Sequence, residues 1–277
     1  MTLGHKVAGV VAELGAGVSS IRMGDKVVVA QVVQPVRQTD WPKGIGMGYG
    51  GSYAEHALAY LECVVSIPDS VSFAQTAVAT DSMATVYRAV TAEACVTASM
   101  TIAAVGLGGL GINGVTIAAL QGATVYEVDI DSQKFEDVKH CGATACATSL
   151  GAYSDVKFDA TIDFAGVGST TAEAIVAVKA GGCIVLVGLG ASEVRVSTTA
   201  LALRGITLRG SIGASPGDLS TVFVLTAAGS ITPGFTEISL RRFMKDWFVL
   251  IEVKSAVAFL PGRRKDDKSR VCGGIFR

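Results

Sequence analysis

From Thr101 onward, short runs of β-branched and apolar residues alternate with Ala-rich or amphipathic segments. The runs predict strands over 101–105 (TIAAV), 124–129 (TVYEVD), 144–148 (TACAT), 159–164 (DATIDF), 183–188 (CIVLVG) and 206–212 (ITLRGSI). The segments between and after them predict helices near 109–121, 132–140, 169–179, 197–203 and 217–229. Strands alternating with helices in this way pack as an α/β fold, a doubly wound parallel six-stranded sheet. Residues 1–80 read differently. They hold strand-like GHKVAGVVAEL, the pair Gly24-Asp25 before KVVVAQVV, and a Pro/Gly-rich loop from Pro35 to Gly51, a β-rich and loop-rich pattern. After residue 231, FTEISL, FVLIEV and AVAFL are again strand-like, and the chain then passes into the charged tail PGRRKDDKSRVCGGIFR.

Composition narrows the class. Of 277 residues, 50% are hydrophobic and 17% charged, so the chain has enough apolar material for a packed core and is not intrinsically disordered. With 23 Lys+Arg against 24 Asp+Glu the formal net charge is −1, which leaves no basic field for a nucleic acid or an anionic membrane. The stretch Ala94 to Tyr126 has no charged residue, but five glycines crowd its middle and its flanks lack a Lys/Arg and Trp/Tyr belt, so a buried strand and helix explain it better than a membrane span. The cysteines Cys63, Cys95, Cys141, Cys146, Cys183 and Cys272 form no CxxC pair, which argues against a disulfide framework or a four-cysteine zinc site. They read as small buried hydrophobes. The N-terminus MTLGHKVAGVVAELGAG is not continuously apolar, so no export signal is expected and the cytoplasm is the expected compartment.

Gly106-Leu107-Gly108-Gly109-Leu110-Gly111 fits G-x-G-x-x-G. The pattern alone is weak in a chain with 33 glycines, but here it follows a predicted strand and opens a predicted helix. In that setting the side-chain-free backbone brings its N–H groups and the helix N-terminus against a pyrophosphate. Asp129 ends the second strand 18 residues past Gly111, where a carboxylate accepts hydrogen bonds from ribose hydroxyls and repels a 2′-phosphate. The sheet is therefore expected to bind a dinucleotide, NAD rather than NADP. Gly166 and Gly168 in DFAGVG, and Gly188 in VGLG, put small residues at the ends of the fourth and fifth strands, where the cofactor would cross.

The segments GHKVAGVVAELGAGV, MGDKVVV, GGSYAEHAL, VSIPD, VATDSMATVYRAV, VGLGGLGINGV, VDIDSQKF, DFAGVG and GGCIVLVGLG resemble the zinc-containing alcohol dehydrogenases of the medium-chain dehydrogenase/reductase superfamily, in the family's order. The resemblance covers roughly residues 3–240. It implies a partial GroES-like β domain over 1–82, a dinucleotide-binding domain over 83–230 and a return to the first domain with a basic tail over 231–277. It implies a hydride transfer between NAD(H) and a small alcohol or its aldehyde or ketone, assisted by one catalytic zinc. His5 and Asp81 are the implied zinc ligands, Thr85 the residue against the nicotinamide, and Lys134 a cofactor-binding partner of Asp129, alongside Gly106, Gly108, Gly109, Leu110, Gly111 and Gly188. A homodimer or homotetramer is implied, with the edge strand ITLRGSI pairing across a two-fold axis.

Three departures stand beside the resemblance. The family's first zinc ligand, a cysteine N-terminal to the histidine, and its accompanying hydroxyl residue have no counterpart in this sequence. The glutamate after the zinc histidine is Lys6, a cation beside the place of a dication. The structural-zinc lobe is replaced by AQVVQPVRQTDWPKGIGMGYGG, which has no cysteine and so holds no second zinc. Read from the residues alone, His5 is also an acceptable polar strand residue and Asp81 an acceptable helix N-cap. A zinc-free quinone or enoyl reductase of the same superfamily and a catalytically impaired dinucleotide-binding protein are the alternatives.

Overall fold

The computed structural model describes residues 2–35, 42–239 and 256–260. The chain divides into two compact units, 1–84 with 213–277, and 85–212.

In the first unit β1 (Ala8–Val10), β2 (Lys26–Val29) and β3 (Val64–Ser66) form an antiparallel sheet in that order. Alternation along the strands turns Val27 and Val29 inward with Val7, Val11, Ile45 and Cys63. Helix α1 (Phe73–Ser82) begins on a capping box: Ser72 Oγ accepts the Gln75 N–H and the Gln75 side chain accepts the Ser72 N–H. That start places Asp81 in the last turn of α1, so the N-cap role open to it in the sequence belongs to Ser72.

Helix α7 (Pro216–Ala227) also starts on a capping box, Ser215 with Asp218, and has Pro216 in its first turn. It packs against α1 and β3, with Leu219, Val222 and Phe223 buried. The second unit therefore ends at Ile212, not at 230 as the sequence suggests. An amphipathic helix advertises its apolar face but not the core that face will cover. Strands β10 (Phe235–Ser239) and β11 (Ala256–Leu260) pair in parallel, and Phe235 packs on Ala74 and Val78 of α1. FVLIEV and the basic tail lie outside the described residues.

The second unit is a six-stranded parallel sheet in the order β6-β5-β4-β7-β8-β9. Its strands are β4 (Thr101–Val105), β5 (Thr124–Val128), β6 (Ala143–Ala147), β7 (Phe158–Asp163), β8 (Val178–Leu186) and β9 (Thr207–Gly210). Helices α3 (Gly111–Leu120), α4 (Phe135–Lys139), α5 (Ser169–Ala177) and α6 (Thr198–Arg204) connect them, and α2 (Ala84–Arg88) with a π-helical turn (Ala89–Glu93) leads into β4. Val105 is level with Val128 on one side and Asp163 on the other, so the carboxyl ends of β5, β4 and β7 form one edge. Strand order reverses at β4, which makes that edge a topological switch point.

The expected helix over 169–179 stops earlier, at Ala177, and β8 begins at once with Val178. The Arg204 guanidinium donates to the carbonyls of Ile175 and Val178, taking over acceptors that another helical turn would have needed. The uncharged stretch from Ala94 resolves into β4 and α3, and among the described residues no helix is long and apolar enough to cross a membrane. Cys95 departs from the buried reading and is exposed, whereas Cys63 is buried and Cys141, Cys146 and Cys183 are intermediate.

Candidate functional site

The glycine loop sits at the reversal point of the parallel sheet. Gly106 has φ +97° and donates its N–H to the Val128 carbonyl at 2.7 Å, which turns the chain sharply out of β4. A Cβ on Gly111 would lie 1.7 Å from the Gly106 carbonyl oxygen, and one on Gly114 2.4 Å from the Phe164 ring, so α3 approaches strand and loop as only glycine permits. A Cβ on Gly108 would meet nothing within 4 Å, so this glycine borders open space. The N-cap of α3, Leu110, supplies no side-chain hydrogen bond, and in the first turn the Ile112 N–H donates to the Gly108 carbonyl at 3.3 Å.

Asp129 closes the site from β5. Its Oδ2 accepts the Leu107 N–H at 2.6 Å, its Oδ1 accepts the Asp131 N–H at 2.8 Å, and the Lys134 Nζ lies 2.9 Å from both oxygens. The acid thus fixes the glycine loop. Gly188 follows β8, where a Cβ would come within 2.3 Å of the Ala165 carbonyl carbon. Sequence reasoning passed over the group that holds this corner, Asp163. Fully buried, it accepts the Ala165 and Gly166 N–H groups on Oδ1 and the Thr170 and Thr171 hydroxyls on Oδ2. An aspartate at a strand end followed by two threonines on the next helix was the available signal.

Glu127, two residues before Asp129, was also missed. It is fully buried in β5, and neither carboxyl oxygen has a well-aligned partner among the described residues. Burial, with a contribution from Asp129, pushes its pKa up to about 9 against smaller downward pulls from the Val128 N–H and Lys134. It is therefore a neutral acid at pH 7.

The predicted zinc ligands His5 and Asp81 lie in the first unit. Gly4 has φ +99°, and its carbonyl accepts the Ser52 N–H at 2.9 Å, fixing the segment that presents His5. His5 Nε2 lies 3.4 Å from Asp81 Oδ2, so residues 76 apart in sequence meet. Lys6 Nζ reaches the same oxygen at 3.0 Å and donates to Ser82 Oγ at 3.2 Å. Burial works to raise the Asp81 pKa, but the His5 hydrogen bond and the Lys6 ammonium outweigh it and hold the carboxyl well below the usual carboxylate range. Thr85 is buried at the start of α2 in the second unit. His56 and His140 are exposed, and no role falls to either.

The family described as "Alcohol dehydrogenase GroES-like domain" matches residues 1–69, and that described as "Zinc-binding dehydrogenase" matches residues 109–228. An alcohol dehydrogenase of Geobacillus stearothermophilus is 27% identical over 248 residues, 82% of this chain and 73% of its own length. An NAD-dependent alcohol dehydrogenase of Sulfurisphaera tokodaii is 28% identical over 258 residues, 86% of this chain and 74% of its own. Among solved structures, acetophenone reductase from Geotrichum candidum in complex with NAD superimposes with a TM-score of 0.81 at 27% identity, covering 92% of this chain and 80% of that one. The chain belongs to the zinc-type alcohol dehydrogenase family of the medium-chain dehydrogenase/reductase superfamily.

The residues present suit one of the family's two cofactors. The open Gly108, the uncapped start of α3 and the Asp129–Lys134 pair fit a dinucleotide. For zinc the donors are His5 and Asp81, and no group of three or more His, Cys, Asp or Glu side chains able to hold a metal occurs among the described residues. The Asp81 oxygen that faces His5 is already neutralised by Lys6. Two ligands with an ammonium at hydrogen-bond distance from one of them do not fit a resident dication.

Proposed function

We propose that the chain is an NAD-dependent oxidoreductase that moves a hydride between the cofactor and a small alcohol or its aldehyde or ketone. The observation that carries this reading is the Gly106–Gly111 turn held by Asp129 at the switch point of the sheet. When bound, the nicotinamide accepts or returns the hydride. The first amides of α3 would hold the pyrophosphate, with Gly108 allowing close backbone approach. Asp129 would exclude a 2′-phosphate by charge. The Lys134 ammonium uses two of its three N–H groups on Asp129 and would offer the third to a ribose hydroxyl. Gly188 would keep the path across the sheet edge free of side chains, and Thr85 would stand against the nicotinamide.

His5, Asp81 and Lys6 form the polar cluster for the reacting oxygen. Lys6 is the cation available there to stabilise an alkoxide, and His5 the group able to pass a proton at Nε2. The Lys6–Asp81 ion pair favours a second reading, a zinc-free quinone or enoyl reductase of the same superfamily. The exposed edge strand β9 supports assembly into a homodimer or homotetramer through that edge. The five free thiols among the described residues suit a reducing cytoplasm.

The test is fluorescence titration of NADH and NADPH, followed by assays with alcohols, ketones and enones. Saturable NADH binding with weaker NADPH binding is expected. Asp129→Ala should weaken NADH by about 1–3 kcal/mol and erase the discrimination, the scale of a lost charged hydrogen bond. Equal affinity for the two nucleotides in the wild type would overturn the role of Asp129. Turnover of enones alone would select the second reading.

A further inference from the structure

In the register of β8 and β9, Cys183 pairs with Thr207 and Val185 with Arg209, so Cys183 and Arg209 share one face of the sheet. The π-helical turn Ala89–Glu93 lies over that face. Glu93 forms ion pairs with Arg88 at 2.9 Å and Arg209 at 3.6 Å, and its carbonyl receives the Cys183 thiol at 3.9 Å. The preceding carbonyl, that of Ala92, receives the Cys95 thiol at 3.4 Å. Two sulfurs 88 residues apart in sequence thus rest on neighbouring carbonyls of one turn. Cys95 is exposed and has φ +51°, a left-handed conformation uncommon for a residue with a Cβ. Burial pushes the Cys183 thiol up, although Arg209 pulls it down. None of these groups has a part in the cofactor or substrate chemistry above.

We propose that Cys95 and Cys183 form a redox-responsive pair that closes to an intramolecular disulfide when a peroxide reaches Cys95, clamping the Ala89–Glu93 turn to the β8–β9 end of the sheet. The Cys95 sulfur attacks a peroxide oxygen, the O–O bond breaks, and with hydrogen peroxide one water leaves and a sulfenic acid remains. The Cys183 sulfur then attacks the sulfenic sulfur and a second water leaves. Two thiols are oxidised and one peroxide is reduced to two waters. Cys95 is the residue oxidised first because it is the accessible one, and Cys183 resolves it.

The full chain, reduced and then exposed to one equivalent of hydrogen peroxide, is alkylated and mapped by mass spectrometry without reductant. The expected product is a monomer lighter by two hydrogens, with the Cys95 and Cys183 peptides joined and dithiothreitol separating them. Cys63, Cys141 and Cys146 should remain fully alkylated. In Cys183→Ser, dimedone should trap a sulfenic acid on Cys95, and in Cys95→Ser the joined peptide should be absent. Full alkylation of Cys183 after oxidation, a Cys95–Cys95 dimer, or a bond between Cys141 and Cys146 would each overturn the proposal.

Discussion

The cofactor loop of the second unit and the polar cluster of the first specify function in different ways. Around Gly106–Gly111 the work is done by backbone: a positive φ, a helix start without a side-chain cap, and places where a Cβ will not fit. Around His5 and Asp81 it is done by side chains, and one replacement alters the chemistry without altering the fold. Lys6 brings an ammonium to 3.0 Å from a carboxylate oxygen where the family's histidine motif has a glutamate. A backbone-built site resists drift because most substitutions break it, whereas a side-chain-built site can change its chemistry within an unchanged frame.

The largest expected effect tests the first half of that contrast. Gly111→Ala drives a Cβ into the Gly106 carbonyl at 1.7 Å, a backbone contact with no flexible group to yield. NADH affinity should fall by more than about 100-fold, or stability by more than about 4 kcal/mol, the range of severe core strain. Gly108→Ala is the matched control, since its Cβ meets nothing. It should leave the thermal midpoint nearly unchanged and weaken only the nucleotide. If both variants behave alike in calorimetry and in titration, the geometry of the loop has been misjudged.

Glu127 offers a smaller effect with a definite sign. Its pKa rises from 4.5 to about 9 on folding, so between those values the folded chain holds a proton that the unfolded chain releases. Its contribution is fully present below about pH 4.5 and is lost as pH rises toward 9, by up to about 1.4 kcal/mol per pH unit. Glu127→Gln, neutral throughout, removes that slope. Urea denaturation at pH 5, 6, 7 and 8 should therefore show the variant gaining on the wild type at each step. Parallel profiles would mean that the carboxyl is solvated or ionised in the folded state.

How much of this was legible in the sequence follows the same division. Strand period and a glycine motif in its proper setting located β4 to β9 and the residues from Gly106 to Asp129, because those signals are local. What escaped depends on contacts between distant segments. The end of α5 is set by Arg204, 26 residues beyond Val178, reaching back to its carbonyl. The allegiance of α7 is set by α1 and β3. A strand period assigns Glu127 to β5 equally well whether or not its carboxyl finds a partner, so its orphaned state appears only in three dimensions. The meeting of His5 and Asp81 came from family resemblance, since nothing in a spacing of 76 residues brings two side chains together.

The smallest expected effect concerns Lys6. Its ion pair with Asp81 is partly solvated, with side-chain exposures of 25% and 21%, so losing it should cost only about 1 kcal/mol. Its consequence for metal should be the more telling. The ammonium neutralises the Asp81 oxygen that a dication would need and repels a dication near His5, while the two donors alone are one short of a usual catalytic zinc site. Wild-type protein dialysed against zinc should therefore retain well under one equivalent by elemental analysis. Lys6→Glu reverses the charge and adds a carboxylate, so zinc retention should rise, and a zinc-dependent increase in thermal midpoint should appear in the variant alone. That increase is read from binding and stability and does not depend on turnover. Finding one tightly held zinc per wild-type chain would mean that a further residue completes the site and that Lys6 swings away from Asp81 when the metal enters. An unchanged zinc content in Lys6→Glu would show that the charge at position 6 is not what keeps the metal out.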